Sequence, residues 1–324
     1  MCTCNGAAYL REQLESIAAQ TVLPEELIVS DDASTDGTVE IVRAFKEKSR
    51  FPVTIAVNEN RLGVCRNFES AIRNCAGAII FLADQDDVWL PSKIAQTLAV
   101  FQSHPHCGYV FSNADLIDEN GDPIGRDLWT SIEFGEKQQI KYAGTEQLNI
   151  MLRRFTLPYG TTMAFRAAFI PQLVPFECRF SRAIVHDGWI SLFLSSLGAY
   201  GVAIPEPLVK YRQHGKQLAS AGEPLAFGDL VRIKRSRNNE QNLQFVDLLE
   251  HLAGRLLQLE PLSKSVLPAR KQLLEKARHV RARVHANSSH GMERLRTVII
   301  EALSGRYGRY SRSLKSVVKD LVTD

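Results

Sequence analysis

Residues 79–94 read Ile-Ile-Phe-Leu-Ala-Asp-Gln-Asp-Asp-Val-Trp-Leu-Pro-Ser-Lys-Ile. An apolar run from Ile79 to Ala83 stops at three carboxylates, Asp84, Asp86 and Asp87. Pro91 then stands where a helix can begin, since proline is well tolerated at the first helical position. The pattern predicts a buried strand that delivers acids to its carboxyl end, the edge where ligands bind in open α/β sheets. Three anions this close repel one another unless a cation or a donor network sits between them. Hard divalent cations such as Mg²⁺ take one or two carboxylates plus substrate phosphates. An acidic turn before a capped helix accounts for the same residues, so the neighbouring sequence must decide.

Working outward, the same rhythm recurs. Leu10, Leu14 and Ile17 fall at helical spacing and end near Gln20. Leu27-Ile28-Val29 is a short apolar strand running into Ser30, Asp31 and Asp32. A helix carries Ile41, Val42 and Phe45, then Val53 to Val57 is a strand. Val64, Phe68, Ile72 and Cys75 mark the next helix, and Ile94, Leu98 and Phe101 another. This alternation predicts an α/β fold, a Rossmann-like mostly parallel sheet flanked by helices.

From Gly108 the rhythm changes. Tyr109-Val110-Phe111 reads as a strand, Asn120-Gly121 as a tight hairpin turn, and Thr145 to Arg154 as a helix. Thr162 to Phe165 reads as a strand and Ile190 to Leu197 as an apolar helix after His186-Asp187-Gly188-Trp189. Val202 to Ile204 and Leu208 to Tyr211 are expected as two short strands. The division expected is a catalytic part over 1–220, with halves 1–112 and 113–220, and a basic helical C-terminal appendage over 221–324.

The chain has 324 residues, 45% hydrophobic and 23% charged, enough apolar content for a sizeable core. No apolar run reaches the roughly 18 residues of a spanning helix. Six cysteines lack metal-like spacing with histidines, so buried or incidental thiols in a reducing cytoplasm are expected. Net charge is +3, unevenly placed: residues 228–324 hold 19 basic and 10 acidic side chains.

A second acidic element, Ser30-Asp31-Asp32-Ala33-Ser34-Thr35-Asp36, ends an earlier strand, one βαβ unit from the first. Two such clusters on one sheet edge are hard to explain as turns alone, although Ser34 and Asp36 also suit helix capping. With Asn5-Gly6, Gln20-Thr21, Asn58-Glu59-Asn60 and Gly63, Trp89 and Pro91, His186-Asp187, and Tyr211-Arg212-Gln213-His214-Gly215, the ordered set resembles the inverting glycosyltransferases of family 2. The resemblance covers residues 1 to about 218 and is nearest in look to bacterial rhamnosyltransferase-type members.

That resemblance implies a glycosyltransferase-A fold and a set of roles. Asp32 would contact the nucleotide base, with Asp31 bracing its loop and Thr3, Asn5 and Asp84 also on the nucleotide side. Asp84 and Asp86 match the family's DXD element, which holds Mg²⁺ or Mn²⁺ on the donor diphosphate, and His214 would stand beside the metal. Asp187 takes the place of the catalytic base. Asp87, Gly160, Thr161, Trp189 and Arg212 fall on the donor-sugar or acceptor side. A carboxylate suits deprotonation of an acceptor hydroxyl, and one displacement with one base inverts the anomeric centre.

The implied reaction moves a sugar, with L-rhamnose from dTDP-rhamnose the first choice, to a glycan or lipid-linked acceptor in cell-surface polysaccharide synthesis. Two rivals are weighed. A sugar nucleotidyltransferase would want a Gly-rich loop and a lysine after the first strand, and Asn5-Gly6-Ala7-Ala8 supplies neither. A degenerate scaffold is suggested by two departures from the family. The first strand is a stub, implying an upstream start or a less stable sheet, and Cys4 stands where relatives carry a base-stacking tyrosine. The basic runs Arg232, Lys234, Arg235, Arg237 and Arg278, Arg281, Arg283 could attract the anionic inner face of the cytoplasmic membrane, at about 1 kcal/mol per side chain near the surface, although a solvated helical face is the reading slightly preferred. No nucleic-acid module is recognised.

Overall fold

The computed structural model describes residues 1–143, 147–154, 158–177, 185–215, 235–259, 266–311 and 314–322. Strands β1 (Cys2–Thr3), β2 (Leu27–Asp31) and β3 (Val53–Val57) form a parallel sheet in that order. The connecting helices are α1 (Leu10–Ala18) and α2 (Thr38–Lys46), and α3 (Val64–Arg73) follows β3. All five residues of β2 are buried, as a parallel strand covered on both faces requires. Phe68, Ala71 and Ile72 give α3 its single apolar stripe, the i, i+3, i+4 spacing that packs a helix on a sheet.

The second sheet comprises β4 (Ile79–Phe81), β5 (Val88–Trp89), β6 (Tyr109–Ile117), β7 (Pro123–Asp127), β8 (Met163–Arg166) and β9 (Gly201–Arg212). Its order is β4-β8-β6-β9-β5, with β7 on β6. The α/β layering is as expected, but this half is mixed. β9 runs parallel to β6, whereas β8 is antiparallel to both β4 and β6, and β5 is antiparallel to β9. The two short strands expected over 202–211 are one strand, whose register slips beside Asn113 to accommodate Pro205-Glu206-Pro207.

Helices α4 (Lys93–Ser103), α5 (Leu128–Ser131), α6 (Glu136–Ala143), α7 (Gln147–Arg154), α8 (Ile170–Leu173) and α9 (His186–Ser196) complete this part. β1 is only two residues long, and its Cys2 N–H donates to the carbonyl of Ala83, two residues beyond β4, at 3.3 Å. A cavity of about 270 Å³ lies beside it, lined by Met1, Ile28, Ile80 and Trp89 among others. The Met1 amino group donates to the Ile28 carbonyl at 2.8 Å. Cys2, Cys4, Cys75 and Cys107 are free thiols; Cys65 is disulfide-bonded, which corrects the expectation of thiols throughout.

The C-terminal helices are α10 (Arg235–Gln258), α11 (Val266–Ser288), α12 (Gly291–Leu303), α13 (Arg306–Tyr310) and α14 (Leu314–Val322). α10 and α11 form the expected C-terminal helical part and pack onto the sheets: Leu248, Leu252, Leu256 and Leu273 belong to the same apolar core as Phe111 and Trp189. Arg255 of α10 donates to the carbonyls of Gln172, Val174 and Pro175 while lying over the Trp189 ring. Among the described residues no helix is long and apolar enough to cross a membrane.

Candidate active site

The acidic loop opens directly from β4 and is held from beneath by Arg212 at the end of β9. The Arg212 N–H donates to Asp87 Oδ1 at 3.0 Å and its Nε to the Asp86 carbonyl at 2.8 Å. Its Nη2 pairs with Glu12 of α1 at 2.5 Å, its Nη1 reaches the Asp118 carbonyl, and the guanidinium lies 4.7 Å over the Tyr9 ring. A buried guanidinium so fully engaged holds α1, the acid loop and the β6–β7 turn together. Arg212 is therefore not open to the donor sugar or acceptor, which corrects that expectation.

Asp87 is corrected in the same way: it is buried and turned toward β9. Burial and the neighbouring Asp86 push its carboxyl up to about 7, while the Arg212 amide and the Thr161 hydroxyl pull it back. Beneath it sits a residue not anticipated, Lys93. Its ammonium is buried, donates to the Thr161 carbonyl at 3.0 Å, lies 4.9 Å over the Trp89 ring, and is pushed down to about 7 by burial. The available signal was its position one turn before Thr97 on the inward side of α4.

Asp84 and Asp86 remain on the open side, Asp84 partly and Asp86 with its ring partner. Burial, then Asp87, Asp86 and Asp187 in turn, raise the Asp84 carboxyl well above the usual range. Asp86 Oδ2 and His214 Nε2 lie 2.9 Å apart, and the imidazole packs 5.0 Å from the Tyr9 ring. Among the described residues no three metal-binding side chains already converge on one point. Two carboxylates and an imidazole nevertheless fit a cation that takes part of its shell from phosphate and water, with Asp86 Oδ2 and His214 Nε2 already side by side.

The neighbouring loop is built by its own acids. Asp31 accepts from the Ser34 N–H at 2.8 Å, the Ser34 hydroxyl at 2.6 Å and the Thr3 hydroxyl at 2.6 Å. Asp32 accepts from Leu62 N–H at 2.6 Å, Gly63 N–H at 2.9 Å and Asn58 Nδ2 at 3.2 Å, folding the 58–63 loop across the end of β2. Asn5 Oδ1 accepts from Thr35 N–H at 2.9 Å. Gln85 joins the two acidic elements: it accepts from Cys4 N–H at 2.8 Å and donates to the Cys4 carbonyl at 3.2 Å. A Cβ at Gly6 would overlap the Gln85 amide, so glycine is needed there for the contact.

Asp187 lies in the first turn of α9, not at its cap, which is Val185. Its Oδ2 accepts from Gly160 N–H at 2.7 Å and its Oδ1 from Gly188 N–H at 2.6 Å, which fixes the carboxylate between α9 and the 160–162 turn. A Cβ at Gly160 would come 2.7 Å from His186 Nε2 and 3.4 Å from Asp187 Oδ2. His186 stacks on Phe68 at 3.6 Å, buried, with neither ring nitrogen finding a partner among the described residues, and burial drives it down to about 4. It is a neutral wall for its neighbour. Thr161 is buried, its carbonyl bonded to Lys93. Trp189 is fully buried, its Nε1 donating to the Leu173 carbonyl at 3.0 Å, so it is core and not a sugar platform, a further correction.

Residues 1–170 match the family model described as Glycosyl transferase family 2. The dTDP-rhamnosyl transferase RfbG of Shigella flexneri is 31% identical over 124 residues, 37% of this chain and 40% of that protein. A putative teichuronic acid biosynthesis glycosyltransferase of Bacillus subtilis, TuaG, is 27% identical over 46% of this chain and 59% of its own length. An uncharacterised Mycobacterium tuberculosis protein is 32% identical, over 36% of this chain and 34% of its own length. The matched stretch spans less than two thirds of these relatives. Among solved structures, residues 1–349 of S. aureus TarS, crystallised with UDP, superpose with a TM-score of 0.53 at 14% identity, covering 92% of this chain and 76% of that one. The shared fold therefore extends through the C-terminal helices, while the sequence match lies over the acidic elements of the sheet edge: the chain belongs to glycosyl transferase family 2.

Proposed function

We propose that this chain transfers a sugar, with inversion, from a nucleoside-diphosphate donor to a hydroxyl of a glycan or lipid-linked acceptor. The observation that carries the reading is Asp187. Its carboxylate is held by two backbone N–H groups, and it adds, after burial, Asp87 and Asp86, to the raising of Asp84, which supports a base close to the diphosphate side. Asp187 takes the proton of the attacking hydroxyl. The loop that Asp32 folds, with Thr3, Asn5 and Asp31, forms the base side of the donor site.

Asp86, His214 and Asp84 would hold Mg²⁺ or Mn²⁺, which when bound supplies Lewis-acid stabilisation to the departing diphosphate. Arg212 and Gln85 keep the acid loop in place, and Gly160 leaves room for the base. For the finer choice, dTDP-L-rhamnose as donor and cell-surface polysaccharide as product, support comes from RfbG, named a dTDP-rhamnosyl transferase, and from TuaG's teichuronic acid assignment. A panel of nucleotide sugars, assayed for donor consumption with and without Mn²⁺, tests this. The reading expects turnover with one or few donors, dTDP-rhamnose first. No consumption of any donor, with no metal-dependent nucleotide binding, would overturn it.

The proposed location is the inner face of the cytoplasmic membrane. Its earlier basis is weakened by the structure. Arg281 is paired with Glu250 and Arg283 with Asp320, and the side chains of Arg232, Lys234, Arg235 and Arg237 lie outside the described residues.

A further inference from the structure

Helices α12 and α14 are amphipathic in the wrong sense for packing. α12 turns Arg294, Val298 and Glu301 inward, while Met292, Leu295, Ile299 and Leu303 are exposed, the first 80% and the last 84%. Their spacing of three, four and four residues is one stripe along the helix. α14 repeats the arrangement: Ser316 and Asp320 are buried, and Leu314, Val318 and Val322 are exposed, Leu314 at 76%.

The inward polar faces are locked. Glu301 pairs with His279 of α11 at 2.7 Å and with Arg306 through two 2.6 Å bonds. Asp320 takes Arg283 at 2.6 and 2.9 Å and the Tyr307 hydroxyl at 2.7 Å. Arg294 donates to the Ala286 and Ser289 carbonyls. Rolling either helix to bury its apolar stripe would strand these charges, so the stripes are held outward.

We propose that the apolar stripes of α12 and α14 form a docking surface for an anionic phospholipid bilayer, lying in the interface plane. The charge argues for this occupant over a second protein. Residues 291–324 contain seven basic and four acidic side chains; Glu301 and Asp320 are spent internally, and so are Arg294, Arg306 and Arg309. Arg296, Lys315 and Lys319 are exposed on the same two helices. An exposed apolar stripe flanked by basic side chains is how an interfacial helix binds anionic lipid. The inference stands on these helices alone, independent of the transferase reading.

Flotation of the full chain with phosphatidylcholine vesicles, with and without 30% phosphatidylglycerol, is a test. Binding to the anionic vesicles is expected, weakened by added salt and reduced about tenfold or more in Ile299→Glu/Leu303→Glu. The gentler Met292→Gln/Leu303→Gln pair should weaken binding in the same direction, and thermal melts check that both remain folded. Absence of vesicle binding by the wild type, or binding that both variants leave unchanged, would overturn the proposal. So would a concentration-dependent dimer that both variants dissociate while lipid has no effect.

Discussion

The Asp187 carboxylate accepts a hydrogen bond from the Gly160 backbone N–H at 2.7 Å. That bond ties the first turn of α9 to the turn leading into β8, and it places the candidate base without using a side-chain donor. Position 160 therefore tolerates little. A methyl there meets His186 Nε2 at 2.7 Å, and His186 cannot retreat because it is stacked on Phe68. Gly160→Ala should cut sugar transfer about tenfold to a hundredfold, since small misplacement of a base is costly, while nucleotide binding is retained. Steady-state transfer beside nucleotide titration checks the split.

Removal of the Arg212 side chain should act on stability and on the acid loop together. Arg212→Ala leaves Glu12 and the Asp86 and Asp118 carbonyls without their buried partner. The backbone bond to Asp87 survives. A loss of about 2 kcal/mol in denaturant unfolding is expected, with Arg212→Lys recovering only part because an ammonium cannot replace the fork.

Asp86→Asn should separate metal from nucleotide. The amide keeps a contact to His214 but loses the charge that a divalent cation needs. Calorimetric titration should then show nucleoside diphosphate affinity that no longer rises on adding Mn²⁺, where the wild type gains.

Much of the sheet edge was legible because short-range pattern governs it. β2, α3 and the acid loop follow from apolar runs, helical spacing and acids at strand ends. Arg212 and Lys93 were not legible in the same way. Arg212 finds Glu12 across 200 residues, and Lys93 is buried by β8-side backbone 68 residues away. Nor does a count of basic residues reveal which are spent, as Arg281 and Arg283 are on Glu250 and Asp320. Trp189 stands two residues beyond Asp187, and at 3.6 residues per turn the helix sets the two about 200° apart, so Asp187 faces the 160–162 turn while Trp189 faces the core.

The C-terminal helices carry a pH signature. Despite burial, which works the other way, bonds from Arg306 and His279 bring the Glu301 carboxyl down from 4.5 to about 2. A folded-state value below the unfolded one means stability present above about pH 4.5 and lost as pH falls toward 2. Acid unfolding followed by circular dichroism should show this loss, on the order of 2–3 kcal/mol, and Glu301→Gln should remove most of it while lowering stability at neutral pH.

The central claim is that Asp187 is the base facing the donor diphosphate. It is tested most directly by single-turnover transfer with Asp187→Asn, measured beside nucleotide affinity in the same preparation. Transfer is predicted to fall by about 10²–10⁴ with nucleotide affinity within a few-fold of wild type; transfer at the wild-type rate would contradict it.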